Sequence, residues 1–423
     1  MCKKKISLFY IVSLISVSLI VTNSYQIYAV DSGQESTEDQ CIICHTEIDY
    51  MPDDFQEYDI HSSEGLSCTG CHGGDSSATE EEDAMSAANG FVGSPDKKDI
   101  PKLCGRCHSN IEFMRVFQPR IATDQVTQYY TSTHGEKLLK GDDKVAVCTN
   151  CHSTHAILPA TDPRSTIYPL NVPKTCRKCH SNAVYMKGRN IPTNQYEIYS
   201  RSVHGEALLK HRDIGAPACN DCHGNHGATP PGITSVTHLC GSCHVNNLEF
   251  FRKTLMARAF EELDFHGCEQ CHGYHSVQRA EIDFVGVGQS SFCLKCHDEG
   301  DAGYEAAGKM RSHLADLVSL YDSTNAQMLK VRIKGMNDID IGYLLQDAKQ
   351  SIILSRTMVH TFDPIQVHAQ TRQGIEHLEK ALDLAEAEID EYYYRRIGFV
   401  YSSIAFVILG LGIFLKIRTN KKQ

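Results

Sequence analysis

Nine copies of the pattern Cys-x-x-Cys-His lie between Cys41 and His297, and together they contain 18 of the 19 cysteines in the chain. In c-type haem attachment, the two thiols of this pattern form thioether bonds to the porphyrin and the histidine binds the iron axially. Nine haems within residues 41–297 leave little room for a conventional apolar core. We therefore expect this part of the chain to fold around its cofactors, with short helices at the motifs and loops between them.

The sequence thus predicts nine covalently bound c-type haems, each with two attachment cysteines and one proximal histidine. The attachment cysteines are Cys41, Cys44, Cys68, Cys71, Cys104, Cys107, Cys148, Cys151, Cys176, Cys179, Cys219, Cys222, Cys240, Cys243, Cys268, Cys271, Cys293 and Cys296. The proximal iron ligands are His45, His72, His108, His152, His180, His223, His244, His272 and His297.

Two other uses of cysteine explain the pattern less well. Cysteine pairs also build zinc ribbons, in which thiolates close a tetrahedral site, and exported proteins commonly pair their cysteines in disulfides. Neither use requires a histidine directly after every second cysteine. Disulfides also leave unexplained why Cys2 is the one cysteine outside a motif. Covalent haem accounts for both observations.

An internal repeat organises the nine motifs. The segment Ser132–Gly135 reads Ser-x-His-Gly and recurs at Ser202–Gly205, and each copy precedes a Cys-x-x-Cys-His-x-x-His sequence and then a second motif. A shorter copy begins at Phe265, and a degenerate copy begins at His61. The sequence therefore consists of one leading motif, Cys41–His45, followed by four two-haem modules.

Histidines outside the motifs recur in register with these modules, and we predict that they are distal iron ligands. A second axial histidine gives the iron six ligands, as is typical of an electron-transfer centre. The histidines that precede a module are His61, His134, His204 and His266, and those three residues after a proximal histidine are His155, His226 and His275.

Seven predicted distal ligands leave two irons without an assigned sixth ligand. The alternatives open to the sequence are His211, His238, His313, His360, Met114 and Met186. Because a single histidine on a helix is more often a packing or surface residue, we expect His360, His368 and His377 to face solvent or to pack rather than to bind iron.

The N-terminal segment has the features of a secretory signal peptide. Three lysines after Cys2 form a basic start, the apolar run Ile6–Val21 follows, and Ala29 offers a small residue for cleavage. Such a peptide fits the attachment of c-type haem outside the cytoplasm. Because the apolar run is slightly long for a signal peptide, an uncleaved N-terminal anchor is the alternative.

A second apolar segment lies near the C-terminus. Ile397–Leu415 contains no charged residue and is long enough to cross the hydrocarbon core of a membrane as a helix. Arg395 and Arg396 precede it, and a larger basic cluster at residues 416–422 follows it. Positively charged flanks favour the cytoplasmic side, so we expect the tail in the cytoplasm and the haems outside. A buried core helix is the alternative.

The residues between the last motif and this segment predict three helices. The first covers Tyr304–Val331, and Asn337 or Asp338 caps a second helix that Asp363-Pro364 ends near Phe362. In the third, an apolar stripe from Ile375 to Ile389 is suited to packing on another helix. The predicted fold class is therefore mainly α with extensive loops. We expect a signal peptide at 1–29, a nine-haem domain at 30–300, a helical hairpin and stalk at 304–395, a transmembrane helix at 397–415 and a cytoplasmic tail at 416–423.

The charge of the chain restricts its partners. The formal net charge is −11, and the haem propionates make the assembled protein more acidic. An acidic surface repels nucleic acid and suits basic redox partners. The sequence contains no phosphate-binding glycine loop, hydrolase nucleophile elbow or dinucleotide fingerprint. These absences leave the haems as the source of the chemistry.

The two repeated segments resemble a known superfamily. Ser-x-His-Gly followed by Cys-x-x-Cys-His-x-x-His, in Thr131–His155 and again in Arg201–His226, resembles the multihaem cytochromes that include hydroxylamine oxidoreductase and cytochrome c nitrite reductase. The helices beyond Tyr304 agree with that superfamily in outline. The resemblance implies stacked and perpendicular haem pairs and, in the enzymes, one five-coordinate haem that binds substrate. This chain departs from it in having nine motifs and no Cys-x-x-Cys-Lys variant.

We expect an electron-transfer protein rather than an enzyme. In this interpretation the haems pass electrons between a membrane partner, such as a quinone-linked cytochrome b or another redox complex, and acceptors outside the cytoplasm, including other c-type cytochromes. The alternative is an oxidoreductase that acts on a small nitrogen or sulfur species, such as hydroxylamine, nitrite or tetrathionate, at one five-coordinate haem. His45 and His108 would then be the first candidates for the open haem.

Overall fold

The computed structural model describes residues 39–51, 58–229, 239–265 and 267–421. The predicted signal peptide and the predicted ligands His238 and His266 lie outside these ranges. In the described residues the chain is mainly helical and contains no strand. It divides into two compact units, an N-terminal unit of residues 1–126 and 141–159 and a C-terminal unit of residues 127–140 and 160–423.

The N-terminal unit contains short helices separated by loops. Its α-helices are Gln40–Glu47, Ile60–Ser63, Thr69–His72, Glu81–Ala84, Ile100–His108, Ile111–Phe117 and Cys148–His152, with a 3₁₀-helix at Ala87–Asn89. The helix Gln125–Thr131 begins at the boundary between the units. Four of the nine motifs lie in this unit, at or next to these helices, as the sequence predicts.

The C-terminal unit begins with the same kind of structure. Its short α-helices are Thr133–Leu139, Val172–His180, Gln195–Ser200, Val203–Gly205, Cys219–His223, Val245–Phe251, Leu255–Glu262 and Glu269–His272. A π-helical turn spans Glu206–Lys210, and 3₁₀-helices span Ile282–Phe284, Cys293–Lys295 and Val359–Thr361. The remaining five motifs lie here.

Three long helices follow the last motif and confirm the helices that the sequence predicts: α1 (Ala302–Ile333), α2 (Ile339–Met358) and α3 (Pro364–Asn420). Asp301 caps α1 by accepting a hydrogen bond from the backbone of Tyr304. Asp363 caps α3 in the same way, so the Asp-Pro pair that ends the second helix also begins the third.

The three long helices share an apolar core. Its fully buried members include Leu317 and Val331 on α1 and Leu378 on α3, and Leu345 on α2 packs with them. The predicted stripe on α3 contributes Leu378 and Ala385 to this core, while Ile375 and Ile389 pack at its edge. This part of the chain is held by ordinary hydrophobic burial.

Beyond the core, α3 continues for several turns with its apolar side chains exposed. It has 57 residues, and its C-terminal part is long and apolar enough to cross a membrane, with none of the apolar window buried. A core helix of a soluble protein would be mostly buried. The predicted transmembrane segment is thus one continuous helix with the stalk.

Candidate functional site

The first motif of each module ends in an unusual backbone conformation. The residue after the proximal histidine has a positive φ in all four modules, with Gly73 at 69°, Ser153 at 75°, Gly224 at 84° and Gly273 at 71°. This conformation stops the short motif helix directly after the histidine and turns the chain away. Glycine adopts it without strain, whereas Ser153 does not.

In the first two modules, the second motif lies instead at the end of a longer helix. These helices, Ile100–His108 and Val172–His180, have nine residues each and carry a proline at their first turn, Pro101 and Pro173. Both prolines are fully buried. Proline suits the first turn of a helix because its missing N–H has no partner there. The proximal histidines therefore end two well-defined helices.

The Ser-x-His-Gly segments are helix starts that fix the histidine between their serine and glycine. The buried Ser132 Oγ accepts a hydrogen bond from Gly135 N at 3.0 Å, and Ser202 Oγ accepts one from Gly205 N at 3.1 Å. A Cβ atom on Gly135 would lie 2.0 Å from the carbonyl oxygen of Tyr129. Only glycine permits this close approach, so the motif sets the position of His134 and, in the second copy, of the equivalent histidine.

A recurring backbone hydrogen bond links each of these segments to the next module. The residue before the histidine donates its N–H to a carbonyl oxygen in the following module. That oxygen belongs to the residue two positions after the Cys-x-x-Cys-His-x-x-His sequence of the following module. These bonds are Ile60 N to Ile157 O at 2.8 Å, Thr133 N to Ala228 O at 3.1 Å and Val203 N to Val277 O at 2.8 Å. The repeat seen in the sequence is therefore also a structural repeat, and it brings the two kinds of predicted distal histidine into neighbouring segments.

In the N-terminal unit, two predicted distal histidines lie opposite proximal histidines. The ring centres of His61 and His108 are 6.0 Å apart, and those of His155 and His72 are also 6.0 Å apart. His61 precedes the module whose second motif ends at His108. His155 belongs to the following module and lies opposite the first proximal histidine of the preceding one.

The C-terminal unit repeats this arrangement. The ring centres are 6.1 Å apart for His134 and His180, 6.2 Å for His204 and His244, and 5.8 Å for His275 and His223. The histidine that precedes a module again lies opposite its second proximal histidine, and the post-motif histidine lies opposite the first proximal histidine of the module before. The sequence predicted these histidines as ligands but did not predict their pairing.

The last module contains a pair with His360, which the sequence left open as a sixth ligand although a solvent-facing or packing position was the stronger expectation. His360, expected to face solvent or to pack, lies opposite His272, with ring centres 6.1 Å apart and ring planes 27° apart. No further module follows to supply a post-motif histidine for His272, so a histidine from the turn between α2 and α3 takes that position. The sequence signal that could have identified His360 is the lack of a further Cys-x-x-Cys-His-x-x-His sequence after the last module.

These pairs fit an iron between two imidazoles. A metal–imidazole bond is about 2.0 Å long. Two such bonds, together with the distance from each ligating nitrogen to the centre of its ring, place the two ring centres about 6 Å apart. All six pairs lie between 5.8 and 6.2 Å. Direct ring stacking would bring the centres closer. The donor set therefore suits haem with two axial histidines.

Hydrogen bonds at Nδ1 orient several of these rings. His72 Nδ1 lies 2.7 Å from Gly93 O, and His360 Nδ1 lies 3.0 Å from Thr357 O. His297 Nδ1 lies 3.2 Å from a carboxylate oxygen of the α1 cap, Asp301. A ring whose Nδ1–H donates to such an acceptor keeps Nε2 free for a metal.

Burial also favours the neutral form of several of the paired imidazoles. It is the largest cause that lowers the pKa of His134, His180, His204 and His272, and the opposite or neighbouring histidine lowers each further. The pKa of His360 is lowered by burial as well. A neutral imidazole is the form that binds a metal.

Consecutive motifs are neighbours within each unit, and two kinds of junction alternate. Between modules, the first cysteines of adjacent motifs share a thiol hydrogen bond: Cys104 with Cys148, Cys176 with Cys219, and Cys240 with Cys268. Within a module, the second cysteine of one motif interacts electrostatically with the first cysteine of the next: Cys71 with Cys104, Cys222 with Cys240, and Cys271 with Cys293. The order of these motifs in space therefore follows their order in the sequence.

The ligation of His152 in the N-terminal unit stays a prediction, as does that of His226 in the C-terminal unit. The ring of His297 lies against the backbone of Gly303 at the start of α1. His45 contacts Tyr50 edge-on, with ring centres 5.2 Å apart. The attachment roles of the motif cysteines likewise stay predictions.

The other residues that the sequence offered as sixth ligands lie elsewhere. Met114 and Met186 are buried core residues, and His108 and His180, the proximal histidines before them, already lie opposite other histidines. His211 is exposed. His313 on α1 and His368 on α3 contact each other instead, with 3.2 Å between their Nδ1 atoms.

Comparison with known proteins identifies two related segments. The family model of cytochrome c3 matches residues 60–181, and the family model of cytochrome c554 and c-prime matches residues 239–319. A search of curated proteins found no match, and neither did a search of solved structures. Both families carry covalently bound c-type haem with iron, in agreement with the paired histidines. The resemblance to the hydroxylamine oxidoreductase superfamily stays a prediction.

Proposed function

We propose that this multihaem c-type cytochrome carries nine haems and relays electrons between a membrane redox partner and acceptors outside the cytoplasm. The membrane partner would be a quinone-linked cytochrome b or a similar complex, and the acceptors would include other c-type cytochromes. The proposal rests on the alternation of junctions between consecutive motifs together with the six histidine pairs. An electron entering at an inner motif of a unit, such as that of Cys104 or Cys240, thus has a neighbouring motif on each side.

The chain's own residues have three tasks in this relay. The motif cysteines would attach the haems, whose iron supplies the one-electron chemistry. Opposed neutral histidines, such as His134 and His180, would hold each iron with two axial ligands and keep its coordination the same in both oxidation states. Groups such as Asp301, which accepts a hydrogen bond from His297, would orient the rings and raise their basicity.

The C-terminal helix supports the membrane location of the relay. We place residues 397–415 across the membrane, with the basic tail in the cytoplasm and the haems on the outer side. The basic and apolar N-terminal segment is in keeping with export, which c-type haem attachment requires. The anchor would keep the haems close to a membrane donor while the acidic surface recruits basic acceptors.

A second function, reduction or oxidation of a small nitrogen or sulfur species, is favoured by one observation. Among the described residues, His45 of the leading motif contacts Tyr50 and has no histidine opposite it. A five-coordinate haem there could bind a substrate. The other candidate for an open haem, His108, is not supported because His61 lies opposite it.

Electron transfer from the fully reduced protein separates these two functions. Full-length protein in lipid nanodiscs is reduced anaerobically and mixed in a stopped-flow instrument with an oxidised monohaem cytochrome c. The relay predicts that the absorbance will show every haem of the protein becoming oxidised while the monohaem cytochrome c becomes reduced. Mixing with hydroxylamine, nitrite or tetrathionate should then give no faster reoxidation than buffer. Rapid reoxidation by one of these small molecules, with none by the cytochrome, would contradict the relay.

A further inference from the structure

The turn between α1 and α2 lies beside the part of α3 that immediately precedes the apolar segment. Lys334 Nζ lies 3.5 Å from Tyr393 Oη and 4.4 Å from the ring centre of Tyr392. On the other side of the turn, the backbone N–H of Asn337 donates to Glu388 Oε2 at 3.2 Å. These contacts fix the height of the turn along α3.

That height can be compared with the thickness of a membrane. Tyr393 is four residues before Ile397, a distance of about 6 Å along a helix. The headgroup layer on each side of a bilayer is about 5–8 Å thick. If residues 397–415 cross the hydrocarbon core, the turn at Lys334 lies within the headgroup layer rather than in bulk water.

The side chains of the turn suit this layer. Ile333 is 77% exposed and Ile339 is 64% exposed, although both lie next to a well-packed core. Lys334 stands over two tyrosine rings, and Arg332 pairs with Asp338 at 2.5 Å. Exposed aliphatic side chains beside lysine, arginine and tyrosine are typical of protein surfaces at a membrane interface.

The turn is also rigid enough to hold these side chains in place. Gly335 has a φ of +70°, and Met336 N donates to Val331 O at 3.2 Å, as in the glycine-terminated end of an α-helix. Val331 is fully buried, and Met336 packs against the same core. The exposure of Ile333 is therefore built into the fold.

We infer that this turn, residues 332–339, docks into the headgroup layer of the membrane that α3 crosses, as a second contact beside the transmembrane helix. The inference rests on the anchor in the proposed function. With two contacts the three-helix bundle stands at a fixed angle to the membrane, whereas a single helix would let it tilt.

Fluorescence quenching by brominated lipids tests this inference, because the chain contains no tryptophan. Three single variants, Ile333→Trp, Ile353→Trp and Phe406→Trp, are prepared as full-length holoprotein in nanodiscs of phosphatidylcholine with or without acyl-chain bromines. Ile353 is 49% exposed on α2, fourteen residues beyond Ile339 and therefore about 21 Å from the turn. Each variant is compared with itself in unbrominated lipid, so differences in starting intensity between the variants do not enter the ratio.

We expect bromine to quench the tryptophan of Ile333→Trp at least about 1.5-fold and that of Phe406→Trp more strongly, with Ile353→Trp unchanged. Quenching at Phe406→Trp without quenching at Ile333→Trp would overturn the inference and leave the anchor intact. No quenching at Phe406→Trp would overturn the anchor itself. Equal quenching at Ile333→Trp and Ile353→Trp would mean that the bundle lies flat on the membrane, against the inference.

A tryptophan at a second position of the turn keeps the test valid if Ile333→Trp does not fold. Ile339→Trp places the tryptophan on the α2 side of the same turn, where the side chain is 64% exposed. It should be quenched to a similar degree as Ile333→Trp. Unquenched Ile339→Trp with native helix content would contradict docking of the turn.

Discussion

The motif region, residues 41–297, and the three long helices, residues 302–420, are stabilised in different ways. The long helices bury a continuous set of aliphatic side chains, of which Leu317, Val331 and Leu378 are fully buried. The motif region has short helices, and one of its apolar clusters in the described residues is a small group around Leu208. Its regular features are instead opposed histidines and neighbouring motifs.

This difference shows which interactions each part of the sequence encodes. In α1 to α3, the sequence specifies packing between side chains, as in most helical proteins. In the motif region, it specifies regularly spaced motifs and the histidines that lie opposite their proximal histidines. We therefore expect the first kind of structure to survive without haem and the second kind to depend on it.

Preventing haem attachment should have the largest effect. When the full chain is produced in cells that lack the haem-attachment machinery, residues 41–297 should lose their order, because little apolar side-chain area remains to stabilise them. The three long helices should persist, since their core contains no cofactor. Limited proteolysis followed by mass spectrometry should leave a resistant fragment that begins near Ala302. A motif region as resistant to the protease as the helices would show that its fold does not depend on haem.

A core substitution in the long helices should act on that region alone. Leu378→Ala removes a fully buried side chain and should destabilise the helices by about 2–5 kcal/mol. Leu384→Ala, at a side chain that is 40% exposed on the same helix, is the matched control and should cost much less. Thermal unfolding followed by circular dichroism measures both. A shift by Leu378→Ala in the temperature at which the haem absorption spectrum changes would show that the two regions are not independent.

Gly135→Ala should disturb the motif region and leave the long helices unchanged. The added Cβ would lie 2.0 Å from the carbonyl oxygen of Tyr129, so the segment must shift and carry His134 away from His180. We expect a fraction of high-spin haem and little change in helix content. Gly342→Ala on α2 is the control, because a Cβ there meets no atom within 4 Å and should stabilise the helix by about 0.5–1 kcal/mol. Identical spectra for the two variants would argue against the role of Gly135.

The smallest expected effect is a gain in stability at Ser153. Its φ of +75° strains a residue with a side chain, and the other three modules have glycine at this position. Ser153→Gly should raise the stability of the holoprotein by about 1 kcal/mol. Ser181→Gly, where φ is −101°, should lower stability slightly. The midpoint of the thermal change in the Soret absorption measures both, and the same sign for both variants would exclude strain as the cause.

The sequence predicted one part of this molecule well because the responsible patterns are local. Helix caps such as Asp363, the stripe around Leu378 and the motif cysteines can each be identified within a few residues. The fold class and the three long helices follow from such patterns. The Ser-x-His-Gly repeat likewise identified His134 and His204 before any contact was known.

Pairing could not be predicted in the same way, because each pair joins residues that are distant in the sequence. His155 lies opposite His72 and His275 lies opposite His223, so each post-motif histidine serves an earlier motif than its own. The partner of His360 could not be predicted for the same reason, since His360 is separated from His272 by all of α1 and α2. Only the tertiary structure brings these rings together.

Iron coordination in the wild-type protein and in His360→Ala tests the pairing most directly, with His377→Ala on α3 as the control. Low-temperature electron paramagnetic resonance of the oxidised proteins, with carbon monoxide added to the reduced proteins, measures open haems. The account predicts that the wild type and His377→Ala are low-spin and do not bind carbon monoxide. It predicts that His360→Ala gains high-spin iron and binds about one carbon monoxide per chain. A His360→Ala variant with the wild-type spectrum would contradict the pairing of His360 with His272, and a wild type that already binds carbon monoxide would contradict a relay in which every iron has two axial ligands.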